Sequence, residues 1–232
     1  MQRLTLMMTP AESTRRAKLL LPRLLQLINA KGVPIAVPIL PEPDAVLGSC
    51  FYNVQRKVNR EGGKSCYGWA VRLTTNVLEV EKHAIWLSPK GEYWDVTPIT
   101  HVKTYTEFVV DDEFVYQGQL TDNIRLNISD NKAVDDLIKV NETIGIIWTY
   151  GSRLGELNVS LPNVFAPLLT ELIKRVDILS NYIDNDGSYD TPCFCGSDNC
   201  YKLCHGRNLR EELSGRLSKA ISSIGTLPNT FT

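Results

Sequence analysis

With 232 residues, 43% hydrophobic and 22% charged, the chain is long enough for one large domain or two small ones, and apolar enough to close a core without disulfides or metal. A formal net charge of −1 gives no global pull toward nucleic acid, and no apolar run approaches the roughly 18 residues that span a bilayer. The N-terminus, "MQRLTLMMTP", lacks a long apolar stretch with a small-residue cleavage site, so a cytoplasmic, reducing location is expected, where clustered cysteines point to metal or thiol chemistry rather than disulfides.

Thr9, Pro10 and Glu12 have capping-box spacing with proline at the first helical position. Leu19, Leu20, Leu24, Leu25 and Leu27 continue at helical spacing, so a helix is expected from there to Gly32, kinked at Pro22. "GVPIAVPILPEPDAVL" carries four prolines and reads as an extended segment laid over the core. In "CFYNVQRKVNREGG", Phe51, Val54 and Val58 share a helical face, and Gly62-Gly63 ends the helix. "YGWAVRL", "VLEVEKHAIWL" and "EYWDVTP" read as strands, with another strand or two over 105–118. From about residue 130 the pattern is helical, in "DNKAVDDLIKV" and "SLPNVFAPLLTELIKRVDILSNYI". A polar linker (184–192), a cysteine cluster and a last helix, "NLREELSGRLSKAISSIG", complete the chain. The expected class is α+β: a core over residues 1–130 with an N-terminal helix, a helical segment over 131–184, a metal knuckle over 193–206 and a C-terminal helix over 207–225.

In "CFCGSDNCYKLCHG" four of the chain's six cysteines and one histidine fall within 13 positions. Thiolate and imidazole are the ligands zinc prefers, and Cys193, Cys195, Cys204 and His205 supply the four that close a tetrahedral structural site. The short loop between the two pairs keeps the chain cost of closure small, and Gly196 relieves the turn. Cys200 is a bystander or a competing ligand. Cys193, Cys195, Gly196, Ser197, Tyr201, Lys202, Cys204, His205 and Gly206 resemble the SEC-C zinc motif, found at the C-terminus of the preprotein translocase motor ATPase and in many bacterial proteins; Phe194, Asp198 and Cys200 depart from it. The resemblance implies a structural Zn²⁺ and a surface for docking a protein partner.

A second constellation is spread more widely. Cys50 opens a helix, where unpaired N–H groups and the helix dipole favour a thiolate. His83 lies in "EKHAIWL" and Asp95 in "EYWDVTP". "SPKGE" suits a three-residue hairpin loop, Pro89-Lys90-Gly91, with Gly91 left-handed. Paired positions then sum to 180, so His83 faces Thr97, Ile85 faces Asp95, and His83 and Asp95 are diagonal neighbours on one face, about 7 Å apart at the backbone. A loop one residue shorter or longer would put them on opposite faces. A thiol, a base and a carboxylate that orients the base are the parts of a nucleophilic site. Taken singly, Cys50 suits a small buried hydrophobe, His83 a satisfied strand histidine and Asp95 a turn cap. Cys66 is the rival nucleophile, His101 a weaker base, Asn53 a speculative oxyanion donor and Glu81 an alternative orienter. Trp69, Trp86 and Trp94 read as core or cleft wall.

The order of cysteine on a helix, then histidine and aspartate on successive strands, resembles the papain-like superfamily in its transglutaminase-like and NlpC-like branches. "HAIW" with "WDVTP" is similar to the transglutaminase histidine and aspartate motifs. The longer pattern, with "YQGQLTDNIR" downstream, resembles a group of uncharacterised bacterial proteins that often end in a SEC-C knuckle. This implies a papain-like thiol hydrolase or acyltransferase working on a protein or peptide amide through Cys50, His83 and Asp95. The competing expectation is a non-catalytic adaptor that captures a protein through the knuckle. Nucleic-acid binding would rest only on Arg15, Arg16, Lys18 and Arg23, a pattern that usually marks a solvated face.

Overall fold

The structure is a computed structural model and describes residues 9–100, 103–156 and 158–224. Among the described residues it is mixed α+β, with a six-stranded antiparallel sheet, a small two-stranded one and five α-helices. Helix α1 (Pro10–Leu27) begins at Thr9, whose side chain accepts the Glu12 N–H. Pro22 lies inside it. The helix stops short of Gly32 because Asn29 takes a left-handed conformation (φ 51°) and ends the winding first. Arg15 and Arg16 pair with Glu12, and Arg16 also with Asp130.

The proline-rich segment supplies β1 (Ile35–Pro38) at one edge of the sheet, where an absent N–H does least harm. Helix α2 (Cys50–Glu61) follows and ends at Gly62 and Gly63, both with positive φ. Gly63 has no alternative: a Cβ there would stand 2.3 Å from the Leu87 carbonyl oxygen. Strands β2 (Lys64–Leu73) and β3 (Val77–Leu87) pair along their whole length. Strand β4 is only Tyr93–Trp94 and β5 is Tyr105–Val110. A short strand without an expected counterpart, β6 (Ile124–Asn127), pairs with β3. The sheet order is β1-β5-β2-β3-β4, with β6 also on β3. On that side β4 takes residues 86–87 and β6 takes 77–80, so 81–85, with His83 at their middle, have no strand partner among the described residues.

Helix α1 lays Ala17 and Leu24, and the next residue after it, Ile28, against Val71, Leu78, Val80 and Val109 of the sheet. Helix α2 packs Val54 with Ala84, Trp86 and Val96. A separate core joins α3 (Lys132–Trp148), α4 (Ala166–Asp184) and α5 (Leu209–Ile224), and it includes Cys193 and Tyr201 of the knuckle. Helix α3 runs eight residues past the expected segment. The loop after it carries a small hairpin, β7 (Ser152–Arg153) and β8 (Val159–Ser160), that periodicity did not announce. No described helix is long and apolar enough to cross a membrane.

Candidate active site and metal centre

The turn after β3 fixes where Asp95 goes. Gly91 is left-handed (φ 83°), its N–H donates to Ser88 O (2.9 Å), and the Ser88 N–H donates to Glu92 O (2.8 Å). Trp86 pairs with Trp94 and Leu87 with Tyr93, so paired positions sum to 180 as the loop length implies. After Trp94 the chain leaves β3. Asp95 is taken up by the segment after β1: its N–H donates to Pro38 O (2.9 Å) and its carbonyl accepts from Leu40 N (2.8 Å). This is why the expected strand over "EYWDVTP" is only two residues long. The side chain still reaches back to β3, where His83 Nε2 and Asp95 Oδ2 are 3.0 Å apart.

Asp95 is fully buried and His83 nearly so, 0% and 2% exposed. The carboxylate also accepts from Thr106 Oγ1 (2.6 Å) and from the Thr97 N–H (3.1 Å). Burial opposes its charge, but His83, Thr106 and Thr97 outweigh burial and hold its pKa below the usual carboxylate range. Burial likewise opposes a charged His83. Cys50 and Asp95 prevail and push its pKa well above the ordinary value.

An ionised Asp95 only accepts, so the ring proton on that side sits on Nε2. Nδ1 is buried and has no partner at hydrogen-bonding geometry. His83 and Cys50, the first residue of α2, line the same cavity of about 680 Å³. Helix α2 has no side-chain cap and no acidic residue in its first turn. Its positive end is therefore uncompensated where Cys50 stands. The structure thus brings a buried thiol, a buried imidazole and a buried carboxylate together.

The other candidates have different surroundings. Asn53 is buried and cannot serve as an oxyanion donor, because Nδ2 is spent on Val46 O (2.8 Å) and Thr97 Oγ1 (3.2 Å). Its Oδ1 accepts from Val46 N–H (2.9 Å), so it braces the loop that leads into Cys50. Burial pushes the Cys66 thiol up to about 11, which disfavours the thiolate a nucleophile needs. Glu81 is bound to Arg72 (2.6 Å) rather than to His83. His101 lies outside the described residues. Trp86 donates to Gly62 O (2.9 Å), and Trp69 lies under the Lys82 ammonium at 4.0 Å. Thr106 was not foreseen: a lone threonine 11 positions beyond Asp95 gives no signal before the sheet order is known.

In the knuckle, the ligand atoms of Cys193, Cys195, Cys204 and His205 all lie within 4.8 Å of one another. Cys193 Sγ to His205 Nδ1 is 3.2 Å, Cys204 Sγ to His205 Nδ1 is 3.3 Å, and Cys195 Sγ to Cys204 Sγ is 3.6 Å. A tetrahedron with zinc–sulfur bonds near 2.3 Å has edges of about 3.8 Å. Three thiols and one imidazole at this spacing suit Zn²⁺, and with four protein ligands no position is left for substrate. Cys200 is not in the group. It sits across a bridge from Pro192 and opens the short 3-10 turn Tyr201–Leu203. Ser197 Oγ lies 3.3 Å from Cys195 Sγ and 3.5 Å from Cys204 Sγ, where its one O–H can donate to one of the two sulfurs.

Tyr201 anchors the knuckle. It is fully buried and donates to Asp136 Oδ2 of α3 (3.2 Å). Gly206 is required beside it, because a Cβ there would meet the Tyr201 ring at 2.6 Å. Comparison with family models, with curated proteins and with solved structures finds no match for this chain.

Proposed function

We propose that the chain is a papain-like thiol hydrolase or acyltransferase that acts on a protein or peptide amide through Cys50, His83 and Asp95, in the cytoplasm. The observation that carries this reading is the His83 ring itself, held by Asp95 through Nε2 at 3.0 Å, with a buried Nδ1 left without a partner and Cys50 lining the same cavity. A buried ring whose pKa is raised needs a second acceptor, and a sulfur at a helix N-terminus supplies one.

Cys50 Sγ, its proton passed to Nδ1, attacks the carbonyl carbon. The new C–S bond forms as the C=O electrons move to oxygen, and the Cys50 N–H at the start of α2 stabilises that oxyanion. The tetrahedral intermediate collapses, the C–N bond breaks, and the imidazolium gives its proton to the departing amine. Water or an amine, deprotonated by His83, then attacks the thioester carbonyl; the C–S bond breaks and the thiol is restored. Asp95 stays ionised throughout and fixes the ring's orientation.

The Cys193, Cys195, Cys204 and His205 cluster is proposed to be a SEC-C-type knuckle. Its zinc, when bound, locks the four side chains and has a structural role. The second reading, a non-catalytic adaptor, is supported by one observation: Leu203 is 59% exposed beside the zinc ligands. One pair of variants separates the two. Cys50→Ala is expected to abolish turnover of a p-nitrophenyl ester, by roughly a thousandfold or more, while the unfolding temperature holds. Leu203→Asp is expected to leave turnover alone. Turnover that survives Cys50→Ala would remove the enzymatic reading.

A further inference from the structure

The cavity that holds Cys50 and His83 also carries charge that the acyl-transfer step does not use. Arg72 and Glu81 form an ion pair in its wall, Nε to Oε2 at 2.6 Å, and Lys103 lines it from the segment after Pro98. Glu81 precedes His83 by two residues on β3, so the two backbones are about 7 Å apart along the strand. Glu81 engages only the Nε edge of Arg72. Nη1 and Nη2 have no partner among the described residues, and neither has Lys103 Nζ.

Several other donors in the wall are already spent. Ser13 Oγ donates to Thr75 O (2.8 Å), Thr14 Oγ1 to Pro10 O (2.8 Å) and Thr74 Oγ1 to Val77 O (3.2 Å). Apart from His83 and Cys50 themselves, two cations against one carboxylate leave the cavity lining one positive charge in excess. A neutral acyl group filling the cavity would strip water from the guanidinium edge and the ammonium and return nothing. A carboxylate would accept from both, through charge-assisted bonds stronger than neutral ones.

We infer that the substrate carries a carboxylate on its acyl group, held by Arg72 and Lys103 beside the reacting carbonyl. The inference rests on the reading of Cys50 as the nucleophile. Such a carboxylate comes either from an acidic residue of a peptide or from a free dicarboxylic half acid.

Two matched esters test it on the full chain: p-nitrophenyl butyrate, neutral, and p-nitrophenyl hydrogen succinate, anionic. The anionic ester is expected to acylate Cys50 roughly tenfold faster after subtraction of spontaneous hydrolysis, equivalent to about 1.4 kcal/mol. The ratio of the two rates falls about as much in Lys103→Gln and in Arg72→Gln, and inverts in Lys103→Glu. A folding defect lowers both rates together, so the ratio reports the charge alone. Equal rates, or a ratio unmoved by Lys103→Gln, overturn the carboxylate inference and leave the nucleophile standing. No acylation of Cys50 by either ester removes both. Acetyl-glutamyl and acetyl-glutaminyl p-nitrophenyl esters distinguish the sources: a glutamyl preference assigns a peptide, and a preference confined to the hydrogen succinate assigns a half acid.

Discussion

The four side chains of the metal cluster come from 13 consecutive positions, whereas Cys50, His83 and Asp95 come from three segments spread over 46. The knuckle closes on itself through short loops, and its ligand atoms meet within 4.8 Å. The thiol site needs a helix start, a strand interior and a residue pulled off a hairpin by the segment at residues 38–40. A local site depends on spacing and survives most errors in the rest of the fold. A distributed site depends on register, and one residue of slip would dismantle it. The two also differ in what they do for the fold. The knuckle supplies Tyr201 and Cys193 to the core of α3, α4 and α5, while the thiol site buries an imidazole and a carboxylate, groups that are costly to bury unless paired.

If the knuckle is the structural partner of that contrast, removing its metal has the largest effect. If Zn²⁺ fills the cluster, chelation is expected to unfold residues 189–206 and to destabilise the α3–α4–α5 core that Cys193 and Tyr201 join, read as a lowered unfolding temperature and lost far-UV helical signal in step with zinc release. A helical signal that persists after complete zinc release would mean the cluster is ornamental to the fold.

The next effect sits in the thiol site. Asp95→Asn leaves a buried, charged His83 without its counter-ion and is expected to cost about 3 kcal/mol, seen as a lowered denaturant midpoint. The same pair sets a pH window. His83 is raised from 6.5 in the fold, so its contribution is complete below that value and is lost as pH rises through the higher folded pKa. Asp95 is lowered from 3.8, so its contribution is complete above that value and is lost as pH falls through the lower folded pKa. Stability should therefore be greatest between about 4 and 6.5 from this pair, and Asp95→Asn should flatten both limbs. Ring NMR of His83 checks the direction: a pKa at or below 6.5 in the wild-type chain would contradict it.

Smaller effects refine the knuckle side. Tyr201→Phe removes the donor to Asp136, which is 2% exposed and whose pKa burial already raises. Arg210 Nε is its other neighbour, at 3.5 Å. The expected loss is about 1–2 kcal/mol in urea unfolding. Cys200→Ser is expected to change stability by less than about 0.5 kcal/mol and to leave one zinc per chain by native mass spectrometry. A lost zinc would return Cys200 to the ligand set.

The contrast also explains what could be read in advance. The knuckle was legible because ligand type and spacing are local properties. The β3–β4 register was legible because "SPKGE" encodes its own turn and loop length sets pairing. The start of α2 at Cys50 followed from apolar periodicity and the Gly62-Gly63 stop. The fate of Asp95 after Trp94 was not legible, because residues 38–40 capture it from more than 50 positions away. The grip of Thr106 on Asp95 is likewise a product of strand order rather than of any local pattern, whereas the Arg72–Glu81 pair follows from the register of the β2–β3 hairpin. Strand β6 is four residues of mixed polarity, too short to declare a period.

The most direct measurement is mass spectrometry of the intact chain, quenched soon after mixing with p-nitrophenyl acetate. An acyl adduct on Cys50, none on Cys66, and roughly a thousandfold slower acylation in His83→Ala is the expected result. An adduct on Cys66 instead, or acylation of Cys50 at the same rate without His83, would contradict the account.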